Sequence, residues 1–189
     1  MHLSKSWLLS LISWAWFLPG CHVQAPPAGQ LDIAGLGRVY KVGPHLYRGP
    51  QPDKAQMLAI RALEPDRQWC VVKLNTLIPG DGGEDPGNFD MNVMHEGWLP
   101  FGPVTHDQVK EALDDTDACL AAGLAVYGHC LHGEDRTGLW LGLWRVREGA
   151  FPMAAFGEMV AYGFHDGEAN RPGLPLFVEA FERETGYRP

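Results

Sequence analysis

The sequence predicts an α/β domain, with a central, mainly parallel sheet and helices on both of its faces. Three observations lead there. Apolar, β-branched runs of strand length recur at "CVVKLNT" (70–76), "MNVMHEGWL" (91–99) and "LAVYGHC" (124–130). Helix-like segments alternate with them, which is the pattern of strands joined by helical crossovers. Composition is that of an ordinary globular chain: 189 residues, 46% hydrophobic and 20% charged, enough for one domain.

Each element has a local reason. The folded domain is expected to span 36–189. It opens with two short β-rich pieces in "GRVYKVGPHLYRG", around a turn at Gly43-Pro44. "DKAQMLAIRALEP" reads as a helix capped by Asp53 and stopped before Pro65. The strand at 70–76 leads into "LIPGDGGEDPGNFD", a loop by its Gly, Pro and Asp content. The strand at 91–99 is broken by "PFGP". Thr105 then caps a long helix that Gly123 ends. After the strand at 124–130, "RTGLWLGLWRVREG" is apolar on nearly every side, so its helix should be buried. "PMAAFGEMVAYGF" and "PGLPLFVEAFERETG" supply two more helices.

The N-terminus differs in kind. Residues 1–20 hold Lys5 and then an apolar run from Trp7 to Leu18, too short to span a bilayer and suited to an export signal. Leu18-Pro19-Gly20-Cys21 resembles a bacterial lipobox, which implies lipidation of Cys21; Pro19 departs from the usual pattern. Residues 21–35, with "HVQAPPAGQ", read as a flexible tether. The expected location is therefore the bacterial periplasm or cell envelope, with membrane contact only through that anchor and a monomeric domain beyond it.

A formal net charge of -8, with no basic run, argues against nucleic-acid binding. The histidines His45, His95, His106, His129, His132 and His165 lack metal-ligand spacing joined to cysteine pairs, so no metal and no cofactor are expected. Besides Cys21 there are Cys70, Cys119 and Cys130. An odd remainder in an exported chain points to a free thiol. Cys70 and Cys119 could pair or could be two small buried hydrophobes; the sequence leaves both open.

The chemistry concentrates in "YGHCLHGEDRTGLW" (127–140). A thiol is a poor nucleophile while protonated; nearby cations and helix N-terminal amides favour the thiolate. Cys130 ends a strand, and a short loop leads to a helix starting near Arg136. The N–H groups of such a loop can form an anion-binding nest. Gly133 allows its tight turning, and the Arg136 guanidinium forks onto two oxygens of a tetrahedral anion.

His129, Cys130, Gly133, Arg136, Thr137 and Gly138 fill the pattern His-Cys-x-x-Gly-x-x-Arg-Thr-Gly. It resembles the signature of the cysteine-based protein tyrosine phosphatases, in particular the dual-specificity-like branch and its bacterial members. "LYRGPQPD" (46–53) is similar to a segment near the start of such domains, and "GPVTHDQVKEAL" (102–113) to the helix start before the catalytic strand. The resemblance covers roughly residues 38–185 and implies a dual-specificity phosphatase-like fold. It also implies roles. Cys130 would form a phosphocysteine. Arg136 would bind the phosphoryl oxygens. Backbone amides of Leu131, His132, Gly133, Glu134, Asp135 and Arg136 would complete the cradle. Thr137 would hydrogen-bond the sulfur, and His129 would orient the loop. The implied substrate is a phosphorylated protein or a small phosphomonoester.

A general acid is also expected. The family places an Asp after the strand that precedes the long helix. This chain has "MHEGWLPFGP" there, so Glu96 is the favoured acid; Asp81, Asp85 and Asp90 are alternatives, and a site without a dedicated acid is another. Two acids, Glu134 and Asp135, stand where relatives acting on inositol polyphosphates or phosphoinositides often carry lysines. They are expected to repel additional phosphates, which favours phosphotyrosine-type substrates. Trp98, Phe101 and Trp140 are candidates to flank an aryl ring, Trp140 being the better core residue. Arg48 is expected to hold the N-terminal segment or pair with an acid near the site, and Arg171 stays unassigned. A pseudophosphatase that only binds phosphate, and a sulfurtransferase using a similar cysteine loop, are the competing readings.

Overall fold

The computed structural model describes residues 29–33, 35–75, 91–99, 102–164 and 174–189, with the backbone alone at 91–96 and 174. The strands are β1 (Gln30–Ile33), β2 (Leu36–Lys41), β3 (Leu46–Gly49), β4 (Trp69–Asn75), β5 (Met91–Trp98) and β6 (Ala125–His129). They form one sheet in the order β1-β2-β3-β6-β4-β5. β1, β2 and β3 pair antiparallel. β3–β6, β6–β4 and β4–β5 pair parallel. The mainly parallel sheet is as expected, and β4 and β6 are buried along their whole lengths, which explains their mostly apolar sequences.

The helices are α1 (Lys54–Arg61), α2 (His106–Ala121), α3 (Asp135–Arg147), α4 (Pro152–Ala161) and α5 (Leu174–Thr185). Met57 and Ile60 of α1 cover one sheet face, against Tyr47, Trp69, Val71 and Tyr127. The other four helices among the described residues cover the opposite face, around Val72, Trp98, Leu139, Trp140 and Phe181. Both expected caps form as reciprocal boxes. The Asp53 carboxylate accepts from the Gln56 amide, and Thr105 Oγ1 accepts from the Gln108 amide; each Gln side chain accepts from its cap's backbone N–H. α3 is buried from Arg136 through Trp144, as its all-round apolar sequence requires.

One boundary needs correction. Gln30–Ile33, expected to be the end of the tether, is a strand hydrogen-bonded to β2. The fold therefore starts about half a dozen residues before Leu36. Cys70, on β4, is joined to Cys119, on α2, by a disulfide with a Cα–Cα distance of 6.2 Å. Cys130 is the free thiol among the described residues and is buried.

Candidate active site

Parallel pairing brings the C-terminal ends of β3, β4, β5 and β6 to one edge of the sheet, and Cys130 follows β6 there. Register places Gly49 beside His129, and Lys73 on the other side of His129. The spacing between β6 and α3 is set by packing behind the loop. A Cβ on Gly128 would collide with the Trp140 ring, whose Cε3 would lie 2.7 Å away, so the indole fills the space that this glycine leaves. Trp140 is in turn pinned through its Nε1–H, which donates to Thr116 Oγ1 at 3.0 Å; that hydroxyl donates to the Ala112 carbonyl at 2.7 Å.

The loop from Cys130 to Arg136 is held by its carbonyls. The Leu131 carbonyl accepts from the Gln51 N–H at 3.2 Å. The Gly133 carbonyl accepts from Arg48 Nη2 at 2.5 Å, and the Glu134 carbonyl from the same atom at 3.5 Å. The Glu134 carbonyl also takes the Gly138 N–H at 2.6 Å, which starts α3. Because a trans peptide points its C=O and N–H in opposite directions, these bonds turn the N–H groups of His132, Glu134 and Asp135 to the other side of the loop. That is the arrangement of an anion nest at a helix N-terminus. Gly133 sits at φ +76° and lies so close to Gly49 and Pro50 that no side chain fits.

The named side chains converge here. Cys130 is 3% exposed and Arg136 is 8% exposed, six residues apart across the loop. Arg136 Nη1 donates to the Trp98 carbonyl at the end of β5, 3.1 Å away, so one donor anchors the guanidinium and leaves the rest of the fork for a ligand. Thr137 is fully buried, and its hydroxyl has no hydrogen-bond partner among the described residues. His129 is fully buried, stacks against Tyr127 with centroids 5.6 Å apart, and has Nδ1 3.2 Å from the Cys130 carbonyl. Leu131 and His132 are exposed at the mouth.

Two expectations change. Glu134 does not stand in the mouth: it is 2% exposed and its carboxylate forms an ion pair with Arg38 of β2. Its charge is compensated, so it gives no reason to expect repulsion of further phosphates. Trp98 is 1% exposed and lies in the core with Trp140, so neither ring flanks a substrate; Trp98 serves the site through its carbonyl. Glu96 lies on β5 by its backbone, two residues before that carbonyl, and its side chain is outside the described residues. Asp81, Asp85, Asp90, Phe101, Arg171 and Cys21 are also outside them.

Arg48 and Gln51 were not read as partners of the loop. Their signal lay in "LYRGPQPD", but contacts across some 85 residues follow from sheet order, which no local pattern carries.

No family model matches the chain, and no curated protein matches it. Solved structures do. TpbA of P. aeruginosa superposes with a TM-score of 0.61 at 22% identity, covering 85% of this chain and 98% of that one. The core of the PP-IP phosphatase Siw14 from S. cerevisiae gives 0.59 at 16%, covering 75% and 85%. PTPMT1 in complex with PI(5)P gives 0.59 at 14%, covering 78% and 97%. The chain shares its fold with these solved structures. At these identities the likeness concerns the fold, and the chemistry rests on the residues above.

Proposed function

We propose that the protein is a dual-specificity-type cysteine phosphatase that hydrolyses phosphomonoesters through a phosphocysteine on Cys130, with phosphotyrosine-type substrates preferred. The observation that carries this is the loop itself: a buried cysteine and a buried arginine joined by a turn whose Leu131 and Gly133 carbonyls are tied back by Gln51 and Arg48. Such a loop binds a phosphoryl group, faces a sulfur toward phosphorus and holds the transition-state charge in one place.

In the first step the Cys130 thiolate attacks phosphorus in line with the ester oxygen. The S–P bond forms as the P–O bond breaks, and the leaving oxygen takes a proton from the general acid. In the second step water attacks phosphorus as it gives a proton to the conjugate base left by the general acid, and the S–P electrons return to sulfur. Arg136 and the loop amides hold the three equatorial oxygens in both steps. The Thr137 hydroxyl, without a hydrogen-bond partner among the described residues, is suited to donate to the departing sulfur. His129, held at the Cys130 carbonyl, orients the strand end. Glu96 is the proposed acid, since its position on β5 neighbours the carbonyl that anchors Arg136.

Three structures of this fold are described with different ligands or activities: TpbA with pTyr, Siw14 as a PP-IP phosphatase and PTPMT1 with PI(5)P. Two local features favour an aryl phosphate here. The loop between Cys130 and Arg136 has no lysine or arginine to meet further phosphates, and Leu131 and Leu99, 40% and 54% exposed, offer apolar surface nearby. The Cys70–Cys119 disulfide supports maturation in an oxidising compartment, in keeping with an exported protein tethered through Cys21.

The test is phosphate release by reduced protein from an aryl phosphate, a phosphoserine peptide and an inositol polyphosphate. Cys130→Ser should abolish turnover. Glu96→Gln should slow the alkyl ester more than the aryl ester, whose better leaving group needs less help. Turnover surviving in Cys130→Ser removes the mechanism; preference for the inositol polyphosphate removes the substrate assignment.

A further inference from the structure

Arg48 is fully buried in β3, behind the loop and not in its mouth. Its Nη2 makes the short bond to the Gly133 carbonyl, and its guanidinium lies 4.5 Å from the Tyr162 ring centroid. Among the described residues, Nε and Nη1 have no hydrogen-bond partner and no carboxylate pairs with the guanidinium. A cation buried this way is a poor device for stability, because a packed hydrophobe of similar volume commonly does as well or better. What it does do is grip the loop by the carbonyls whose orientation decides where the amides point.

We propose that Arg48 is a positioning residue of the phosphate cradle: it holds the Gly133 and Glu134 carbonyls outward, so that the N–H groups of Glu134 and Asp135 face the anion, and it places a fixed positive charge behind Cys130. This rests on the phosphatase reading and adds a residue that touches neither substrate nor reacting atoms. The titratable groups that reach Arg48 fit the second part. Burial pulls its guanidinium down to about 10; the negative charge of Cys130 is the foremost of the groups pushing it back up, ahead of Tyr162, Glu158 and Tyr40. Arg136 serves the anion from the front, anchored on β5; Arg48 serves the loop from behind, anchored on β3.

The experiment compares the full-length reduced protein with Arg48→Met and Arg48→Lys in three readouts. These are the urea midpoint, inhibition by inorganic phosphate and vanadate, and the rate of Cys130 alkylation by iodoacetamide at pH 6, followed on the Cys130 peptide by mass spectrometry. For Arg48→Met we expect an unchanged or higher urea midpoint, oxyanion inhibition weakened about tenfold, and alkylation slowed about tenfold, because a cation that favours the reactive sulfur anion is gone. For Arg48→Lys, which keeps the charge without the fork, alkylation should recover in large part and oxyanion inhibition should not. A folded Arg48→Met with wild-type inhibition and alkylation overturns the proposal. Should that variant not fold, Arg48→Lys decides: wild-type oxyanion inhibition overturns it, a tenfold loss supports it. A parent protein that neither turns over an aryl phosphate nor binds phosphate would instead remove the phosphatase reading, and the alkylation comparison would still report whether Arg48 acts on Cys130.

Discussion

Gly133→Ala is expected to cost about 3 kcal/mol, and the structure shows where that comes from. The residue sits at φ +76°, where an L side chain costs about 1 kcal/mol. The added Cβ would lie 2.6 Å from both the Gly49 oxygen and the Pro50 nitrogen, and closer still to the Gly49 carbonyl carbon. Comfortable contact needs roughly 3.5 Å, so the 49–51 segment has to withdraw by about an ångström. That segment is held by the Gln51 N–H on the Leu131 carbonyl and by the Tyr127 hydroxyl on the Pro50 carbonyl. Breaking two such bonds, at about 1 kcal/mol each, supplies the remainder. Gly149→Ala is the control: its φ is +97°, but nothing lies within 4 Å of the new Cβ, so only the conformational cost of about 1 kcal/mol applies. With a urea slope of about 2 kcal/mol per molar, the two midpoints should fall by about 1.5 M and about 0.5 M. Phosphate should no longer raise the midpoint of Gly133→Ala. Equal shifts in the two variants, with phosphate protection intact, would refute the claim that this glycine is required by contact with the β3–α1 segment.

Two further outcomes are expected. Removing the Cys70–Cys119 bridge, by Cys70→Ala with Cys119→Ala or by reduction, should destabilise the fold by about 4 kcal/mol, the closure entropy for a separation of 49 residues; a midpoint indifferent to reduction would contradict the bridge. Glu64 gives an acid dependence: burial raises its pKa, but hydrogen bonds from Tyr47, His45 and Lys41 outweigh that and hold it below the usual range. Its stabilisation is then complete above about pH 4.3, the unfolded value, and is lost as pH falls through the lower native value. Glu64→Gln should accordingly lose less stability than the wild type between pH 6 and pH 3, and an equal loss would show that the network adds nothing.

The parts legible in the sequence are those with a local cause. Asp53 and Thr105 announce their helices because a cap and its Gln three residues on are a short-range device. The runs at β4 and β6 are mostly apolar because both faces are covered. Cys130, Arg136 and Thr137 could be picked out because strand, turn and helix follow one another within a few residues. What escaped is non-local. β1 has four residues, with Gln30 and Asp32 exposed, and only its pairing with β2 distinguishes it from the tether. Glu134 looked like a loop acid facing solvent, because nothing near it in sequence says that Arg38 lies alongside. The burial of Arg48 follows from β3 lying next to β6, and the disulfide from α2 lying over β4; both are properties of the assembled sheet.

The contact of Trp140 with Gly128 separates two things that could have been tied together. The strand end that carries Cys130 and the helix start that carries Arg136 are kept apart by an indole ring behind the loop. The reach between sulfur and guanidinium is therefore gauged from outside the loop, and the exposed positions Leu131 and His132 are released from that duty. On the proposed phosphatase reading, substitution there would retune which molecules approach the mouth while the reach between sulfur and guanidinium stays the same.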